Sequence, residues 1–238
     1  MLLRMLKTGL VAGFLTAIVY TLVQAVTVTP LILEAETYEN AAPAGQQHST
    51  LGGATLVHGH AHEHEAGDAA APWTPADGVE RTFYTFLANL VMGVGFALAL
   101  VAAMALRGAP VDARSGLLWG AAGFAVFTVA PALGLPPEVP GAAAADLTAR
   151  QLWWAATALA TAAGLALTIF ARHRALRGLG IIVLLLPHLI GAPQPAAGEH
   201  GAVPAELPSH FAVWSLATAA LFWAVLGTAC GEFYRRFA

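Results

Sequence analysis

Residues 82–106, TFYTFLANLVMGVGFALALVAAMAL, decide the fold of this 238-residue chain. The stretch contains no Asp, Glu, Lys or Arg. A helix needs roughly 20 consecutive apolar residues to cross a hydrocarbon core of about 30 Å. The stretch therefore predicts a membrane-spanning helix, and the chain an integral membrane protein.

Composition supports this interpretation across the whole chain. Hydrophobic residues make up 58% of it, charged residues only 11%, and the mean hydropathy is +0.67. The net charge of −3 and the lack of a basic tract argue against a nucleic-acid partner. The single cysteine, Cys230, excludes an intramolecular disulfide and a cysteine-based metal site.

Six apolar segments are candidate spans: 8–33, 82–106, 115–135, 151–171, 178–193 and 210–231. The first is too long for the roughly 7–15 apolar residues of a signal peptide, so we expect it to remain as a span. The fifth is short. Lys and Arg collect in cytoplasmic loops, and six spans with an internal N-terminus place every basic residue inside except Arg81 and Arg150.

The prediction is thus an all-α, polytopic protein of the bacterial cytoplasmic (inner) membrane. Residues 1–238 form one transmembrane domain with both termini cytoplasmic, and residues 36–81 form a periplasmic loop. Weak repetition predicts three hairpins, with this loop inserted into the first. Each returning helix begins with an acid and a cation or histidine four residues later: Asp77 and Arg81, Asp146 and Arg150, Glu206 and His210.

The loop contains HGHAHEH, which places histidines at the alternate positions His58, His60, His62 and His64. Either an extended or a helical conformation directs two or more imidazoles to one side. Neutral imidazole binds divalent Co, Ni, Cu and Zn, so the pattern predicts capture of a transition metal. The alternative is a solvated loop whose histidines titrate near their ordinary pKa of about 6.5.

Three further residues are candidate metal ligands. His188 follows Pro187 in the shortest segment, where an interrupted helix is typical of transporter binding sites; alternatively, it hydrogen-bonds a neighbouring helix. Glu34 either receives a cation from the loop or is hydrated at the membrane surface. His210 is either a second external ligand or the partner of Glu206.

Other polar residues favour structural roles. Gln24 and Asn89 are expected to hydrogen-bond between helices, with pathway lining as the alternative. Asp77, Glu80 and Arg81 are expected to clamp the outer face. The chain has neither an H-E-x-x-H nor a P-loop sequence, so we expect no enzyme activity of those kinds.

The sequence resembles the CbtA family of predicted cobalt transporter subunits. The stretches that carry the resemblance are VTPLILEAETYE, PWTPADGVERTFYTFLANLVMGVGFAL, GLLWGAAGFAVFTVAPALGLPPEVPG, AADLTARQLWW and LLLPHLIGAP. The resemblance implies cobalt uptake linked to cobalamin synthesis, together with CbtB, a small one-helix companion rich in histidine. Family members are usually described with about five spans, whereas the charge argument favours six.

The leading hypothesis is a transporter subunit for cobalt, or for nickel or zinc, with the metal as substrate and no permanently bound cofactor. The four loop histidines would capture the ion, Glu34 and His210 would relay it, and His188 would mark its path. The alternative is a non-conducting module that buffers or senses periplasmic metal. Lipid surrounds the bundle in either case. The sequence leaves open whether the protein forms a homo-oligomer.

Overall fold

The structure, a computed structural model, describes residues 1–41, 73–197 and 201–237. These ranges are helical and contain no strand. The helices are α1 (Leu2–Val26), α2 (Val28–Ala41), α3 (Val79–Arg107), α4 (Ala113–Phe124), α5 (Ala130–Ala132), α6 (Leu147–Phe170), α7 (Arg174–Ile190) and α8 (Glu206–Arg236). A π-helical segment, Ala125–Val129, joins α4 to α5.

Five helical stretches are long and apolar enough to cross a membrane: α1, α3, the stretch Ala113–Ala132, α6 and α8. The prediction of a multi-helix membrane protein is confirmed to this extent. Helix α7 has 17 residues, which at 1.5 Å each make about 26 Å, slightly less than the hydrocarbon core. The sixth span stays a prediction.

The two chain termini lie at the same end of the bundle. Arg4 Nε donates to the carbonyl oxygen of Tyr234 at 2.7 Å, and the Arg107 guanidinium lies 4.6 Å from the ring centre of Phe170. The C-terminal ends of α3 and α6 therefore also lie at this end of the bundle, which we call the terminal end.

The opposite end of the bundle is covered by α2. Val28 and Ala35 of α2 join a small apolar cluster with Val139, Leu207 and Phe211. The start of α8 and the connection before α6 therefore meet α2 here. We call this end the cap end.

Helix packing departs from the predicted order of hairpins. The closest pairs are α1 with α3, α4 with α8, and α6 with α7. Of these three pairs, only α1 with α3 is a predicted hairpin, namely the one whose two helices are joined by the long predicted loop. The predicted third hairpin, α7 with α8, is not a closely packed pair in the part of the chain that is described.

The predicted pairs four residues apart form only once. Arg81 Nε lies 3.0 Å from Asp77 Oδ1. Arg150 instead pairs with Glu138 at 2.5 Å, and Asp146 accepts a backbone N–H at the start of α6. This position is favourable for Asp146 because its carboxylate accepts a hydrogen bond from an otherwise unpaired N–H. Its negative charge also lies at the positive end of the helix dipole.

The third predicted pair is absent from the described residues: no ion pair joins Glu206 to His210 there. Glu206 nevertheless lies in the first turn of α8, where a negative charge is favourable.

The predicted first span, 8–33, is broken at Thr27 into α1 and α2. Pro30 explains the break, because proline has no N–H and its ring clashes with the carbonyl four residues earlier, that of Val26. Helix α2 then continues to Ala41 and α3 starts at Val79. The predicted loop 36–81 is therefore helical at both of its ends.

Glycines bring α4 and α8 into backbone contact. The position of a Cβ on Gly227 would lie 2.7 Å from the Cα atom of Gly120. Above this contact Trp223 stacks on Phe127, with ring centres 5.7 Å apart, and its Nε1 donates to Thr128 Oγ1 at 3.2 Å. The glycine contact and the aromatic stack hold the core of the bundle together.

Candidate functional site

The four histidines at positions 58, 60, 62 and 64 lie outside the described residues, so the metal-capture site stays a prediction. The chain leaves the described structure after Ala41 and returns at Trp73. Both points adjoin helices that meet at the cap end. The polar features described next lie at this same end of the bundle.

The other three predicted metal ligands are not brought together. Glu34 and His210 are exposed, and His188 is half-buried. The His188 ring packs edge-on against Trp153, with centres 6.1 Å apart. Among the described residues no three His, Cys, Asp or Glu side chains are grouped as a metal site, so these ligand roles stay predictions.

An ion-pair clamp closes the cap end between α2 and α3. Arg81 donates from Nη1 and Nη2 to the two carboxylate oxygens of Glu36, at 2.9 and 3.0 Å. Asp77 holds the guanidinium from the other side. The predicted clamp is confirmed for Asp77 and Arg81, while Glu80 instead accepts the backbone N–H of Ala76 at 3.2 Å.

Sequence reasoning missed Glu36 as the main partner of Arg81. The two residues are 45 positions apart, and the predicted loop begins at residue 36. The sequence did contain a signal for this contact, because Glu36 follows Ile32 and Leu33 by about one helical turn. A helix extended past the predicted boundary would have directed Glu36 towards the next span.

A buried polar cluster ties α1 and α3 together below the clamp. Asn89 is only 6% exposed, and its Nδ2 donates to Thr21 Oγ1 at 2.9 Å and to Gln24 Oε1 at 2.7 Å. The Tyr20 hydroxyl adds contacts to Gln24 and to Thr218 of α8. The predicted interhelical role of Gln24 and Asn89 is confirmed.

A narrow cleft with room for about one water molecule lies between α1, the start of α2 and α3, beside the clamp. Its lining residues are Thr21, Ala25, Thr29, Arg81, Thr82 and Thr85. Arg81 belongs to the clamp, and Thr21 bonds directly to Asn89. The cleft is therefore a small recess at the cap end whose lining is more apolar than polar but includes threonine hydroxyls.

The hydroxyl groups in this recess mostly present oxygen lone pairs. Thr82 Oγ1 donates its proton to the carbonyl of Gly78 at 2.8 Å, and Thr85 Oγ1 to that of Arg81 at 2.9 Å. Thr21 Oγ1 already accepts from Asn89. A hydroxyl whose proton is committed can only accept further hydrogen bonds or coordinate a cation.

A second ion pair, Glu138 with Arg150, lies at the cap end beside α6. Burial raises the pKa of Glu138, and the Arg150 charge acts in the opposite direction. Arg150 Nε, Trp153 Nε1 and Thr157 Oγ1 are buried without a partner in the described structure. Their spacing places them on one face of α6, and the Trp153 ring on that face meets His188.

The family model described as "Probable cobalt transporter subunit (CbtA)" matches residues 2–235, nearly the whole chain. No curated protein matches the chain, and no solved structure does.

Proposed function

The chain belongs to the CbtA family of probable cobalt transporter subunits, and from this premise we propose that it is the membrane subunit of an uptake transporter for divalent cobalt. The match over residues 2–235 is the observation that carries the proposal, because it covers the whole helical bundle rather than one motif. Nickel and zinc are the next candidate substrates, since imidazole and oxygen ligands also accept them.

The histidine-rich stretch would capture the ion outside the membrane. Two considerations support this role. Imidazole is the commonest protein ligand for such metals, and the described residues nearest to the stretch on either side, Ala41 and Trp73, adjoin helices that meet at the cap end. Such a loop would hold the metal in exchangeable sites, because a transporter must release what it captures. Glu34 and His210, both exposed at this end, would receive the ion from the loop.

We further propose six crossings, with α7 as the fifth. Helix α7 runs antiparallel to α6: Gly180 packs against Gly164 near the terminal end, and His188 meets Trp153 towards the cap end. The next described segment is also at the cap end, where the Ala202 N–H donates to the carbonyl of Gly141 at 2.9 Å. These contacts support a helix α7 that passes from one end of the bundle to the other.

The charge distribution orients these crossings. All basic residues except Arg81 and Arg150 belong to the terminal end, which would make that end cytoplasmic by the preference of Lys and Arg for the inside. The cap end then faces the periplasm, and the membrane is the inner one. A periplasmic reporter enzyme fused after residue 195 should be active, whereas one fused after residue 172 should be inactive; activity of both or neither would contradict six crossings.

The word subunit in the family description implies a partner complex. We propose a small one-helix companion with its own histidine-rich metal site. The sequence has no P-loop for ATP hydrolysis, so the energy for accumulation would come from an ion gradient, the membrane potential or another subunit.

A non-conducting module that buffers or senses periplasmic metal is the alternative. The narrowness of the recess between α1 and α3 favours it, because that recess has room for only about one water molecule. The two functions differ in where the metal ends up.

Radiolabelled cobalt uptake by cells that lack their own cobalt transporter tests the proposal. Cells that express the chain, with and without the companion, should accumulate label that external chelator does not remove. A protein that inserts correctly but gives only chelator-removable label in both cases would support the buffering module instead.

A further inference from the structure

We infer that the ion enters the bundle through the cleft between α1 and α3, and that the Glu36–Arg81 ion pair closes its mouth. The inference rests on the proposed function and assigns the first part of the path. It draws on three observations: the oxygen lining, the broken end of α1, and the clamp.

The lining presents threonine oxygens to a divalent cation, in a space that in this structure holds about one water molecule. Thr82 and Thr85 have committed their protons to backbone carbonyls, so their oxygens face the recess as acceptors. Asn89 lies behind this lining rather than in it; its Nδ2 donates to Thr21 and Gln24, and its Oδ1 accepts no hydrogen bond from the described residues. Neutral oxygens hold cobalt less tightly than imidazole does. An ion that leaves the loop histidines would therefore move on rather than remain bound.

The end of α1 adds a second feature that favours a cation. Pro30 cannot donate to the carbonyl of Val26, the residue at which α1 ends. The C-terminal end of a helix also carries a partial negative charge. Ala25, in this last turn, lines the cleft. Interrupted helices whose free carbonyls face a polar recess are how transporters commonly hold cations.

Arg81 explains why the path is closed in this structure. Its guanidinium lines the cleft, and a positive charge at the mouth repels a cation. Glu36 neutralises it from α2, a helix separated from α1 only by the break at Thr27. A cation that arrives from the loop competes with Arg81 for the Glu36 carboxylate, and the loss of that pair removes one of the contacts that hold α2 beside the cleft, while the apolar cluster of Val28 and Ala35 remains.

The clamp is weak enough to open. The side chains of Arg81 and Glu36 are 26% and 30% exposed, and ion pairs this accessible to water contribute little to stability. The Arg150–Glu138 pair is similarly exposed, at 27% and 26%, but adjoins no described cleft. It is the matched control for every test of the clamp.

Labelling of an introduced thiol tests closure without measuring transport. The one natural cysteine, Cys230, is fully buried, so the chain itself provides a background of low reactivity. Thr85→Cys places a thiol in the cleft below the clamp. Its reaction with a membrane-impermeant methanethiosulfonate, added to the periplasmic side of cells or oriented vesicles, measures access from the mouth.

Glu36→Gln should raise the labelling rate of Thr85→Cys by about fivefold, the most that an exposed ion pair contributes to an equilibrium. Glu138→Gln should leave the rate within about twofold, since distant sites act independently. Leu87→Cys, on the lipid-facing side of α3, should stay unlabelled in both backgrounds. Equal labelling of Thr85→Cys with and without the Glu36→Gln substitution, or equal increases from Glu36→Gln and Glu138→Gln, would overturn the inference.

Transport by a second variant tests the path itself. Asn89→Leu replaces the amide below the cleft by an apolar side chain of similar size, and cobalt uptake should fall by about tenfold or more because the ion loses its oxygen acceptors to hydrocarbon. Thr161→Val removes another buried hydroxyl, on α6, and should keep uptake. Full uptake by Asn89→Leu would show that the ion does not pass between α1 and α3, but it would not contradict the proposed transport function. No uptake by the unsubstituted chain would contradict the proposed transport function. The labelling rates would still show whether the Glu36–Arg81 ion pair closes the cleft.

Discussion

Gly120→Ala should destabilise the bundle at the contact between α4 and α8. A Cβ at Gly120 would overlap the backbone carbonyl oxygen of Trp223 and lie 3.1 Å from the Cα atom of Gly227. Neither neighbour is a flexible side chain, so the helices must separate. Overpacking of this kind costs about 1–3 kcal/mol, while alanine regains about 1 kcal/mol of helix propensity. The net loss should be up to about 2 kcal/mol.

Cys230 supplies the assay, because it is buried in α8 and becomes reactive only when the bundle opens. A fluorogenic maleimide added to detergent-solubilised protein during heating should report a midpoint lowered by up to roughly 4–8 °C for Gly120→Ala, at about 2–4 °C per kcal/mol for a chain of this length. The control is Gly95→Ala, whose Cβ would meet nothing within 4 Å; its midpoint should be unchanged or slightly raised. Equal midpoints for the two variants would refute the close contact of α4 with α8.

Three further predictions follow from the site. Replacement of the histidines at 58, 60, 62 and 64 by alanine should raise the cobalt concentration needed for half-maximal uptake but preserve uptake at high cobalt; complete loss at every concentration would show that the loop does more than capture. His188→Ala should keep uptake within about twofold of the unsubstituted chain if the ion passes between α1 and α3, because His188 lies in the separate α6–α7 pair; a large loss with normal insertion would move the path there. Because burial raises the pKa of Glu138, the stability that its protonated form contributes should be present below the ordinary pKa and lost as pH rises through the raised pKa. Thermal midpoints measured from about pH 4 to 7 should therefore fall relative to those of Glu138→Gln, and parallel curves would contradict the assignment.

Hydropathy predicted most of the helical architecture because each span must be apolar along its whole length. The same requirement made isolated polar residues informative, so that Gln24 and Asn89 could be predicted to bond between helices without knowledge of their partners. The break in the helix at Thr27 could also have been predicted, from the position of Pro30. A continuous apolar run masked it, because hydropathy records polarity and not the missing N–H of proline.

Helix pairing could not be predicted in the same way. Gly120 and Gly123 pack closely against α8, but nothing in the local sequence identified Gly227 or Trp223 of α8 as their neighbours. Glu36 and Glu138, the more distant partners of Arg81 and Arg150, were missed for a related reason, although the predicted Asp77–Arg81 pair does form. Glu36 and Glu138 reach these guanidiniums only through the packing of other segments, whereas local spacing suggested Asp77 and Asp146.

The recess between α1 and α3 exists only in three dimensions. Thr21, Thr82 and Thr85 are ordinary residues of apolar helices, and threonine in a span commonly bonds to its own backbone. Their common exposure to one cleft depends on the antiparallel register of the two helices. The histidine stretch, in contrast, was visible from sequence alone because four imidazoles at alternate positions need no tertiary structure to suggest metal binding.

Transport of cobalt across the membrane can be measured as flux into sealed vesicles. Right-side-out vesicles that contain the chain with its companion would be loaded from outside with radiolabelled cobalt, washed with a chelator, and then permeabilised. The account predicts label that survives the wash, is released on permeabilisation, and is lost in Asn89→Leu. Label that the wash removes completely, from a correctly inserted protein supplied with its companion and an ion gradient, would contradict it.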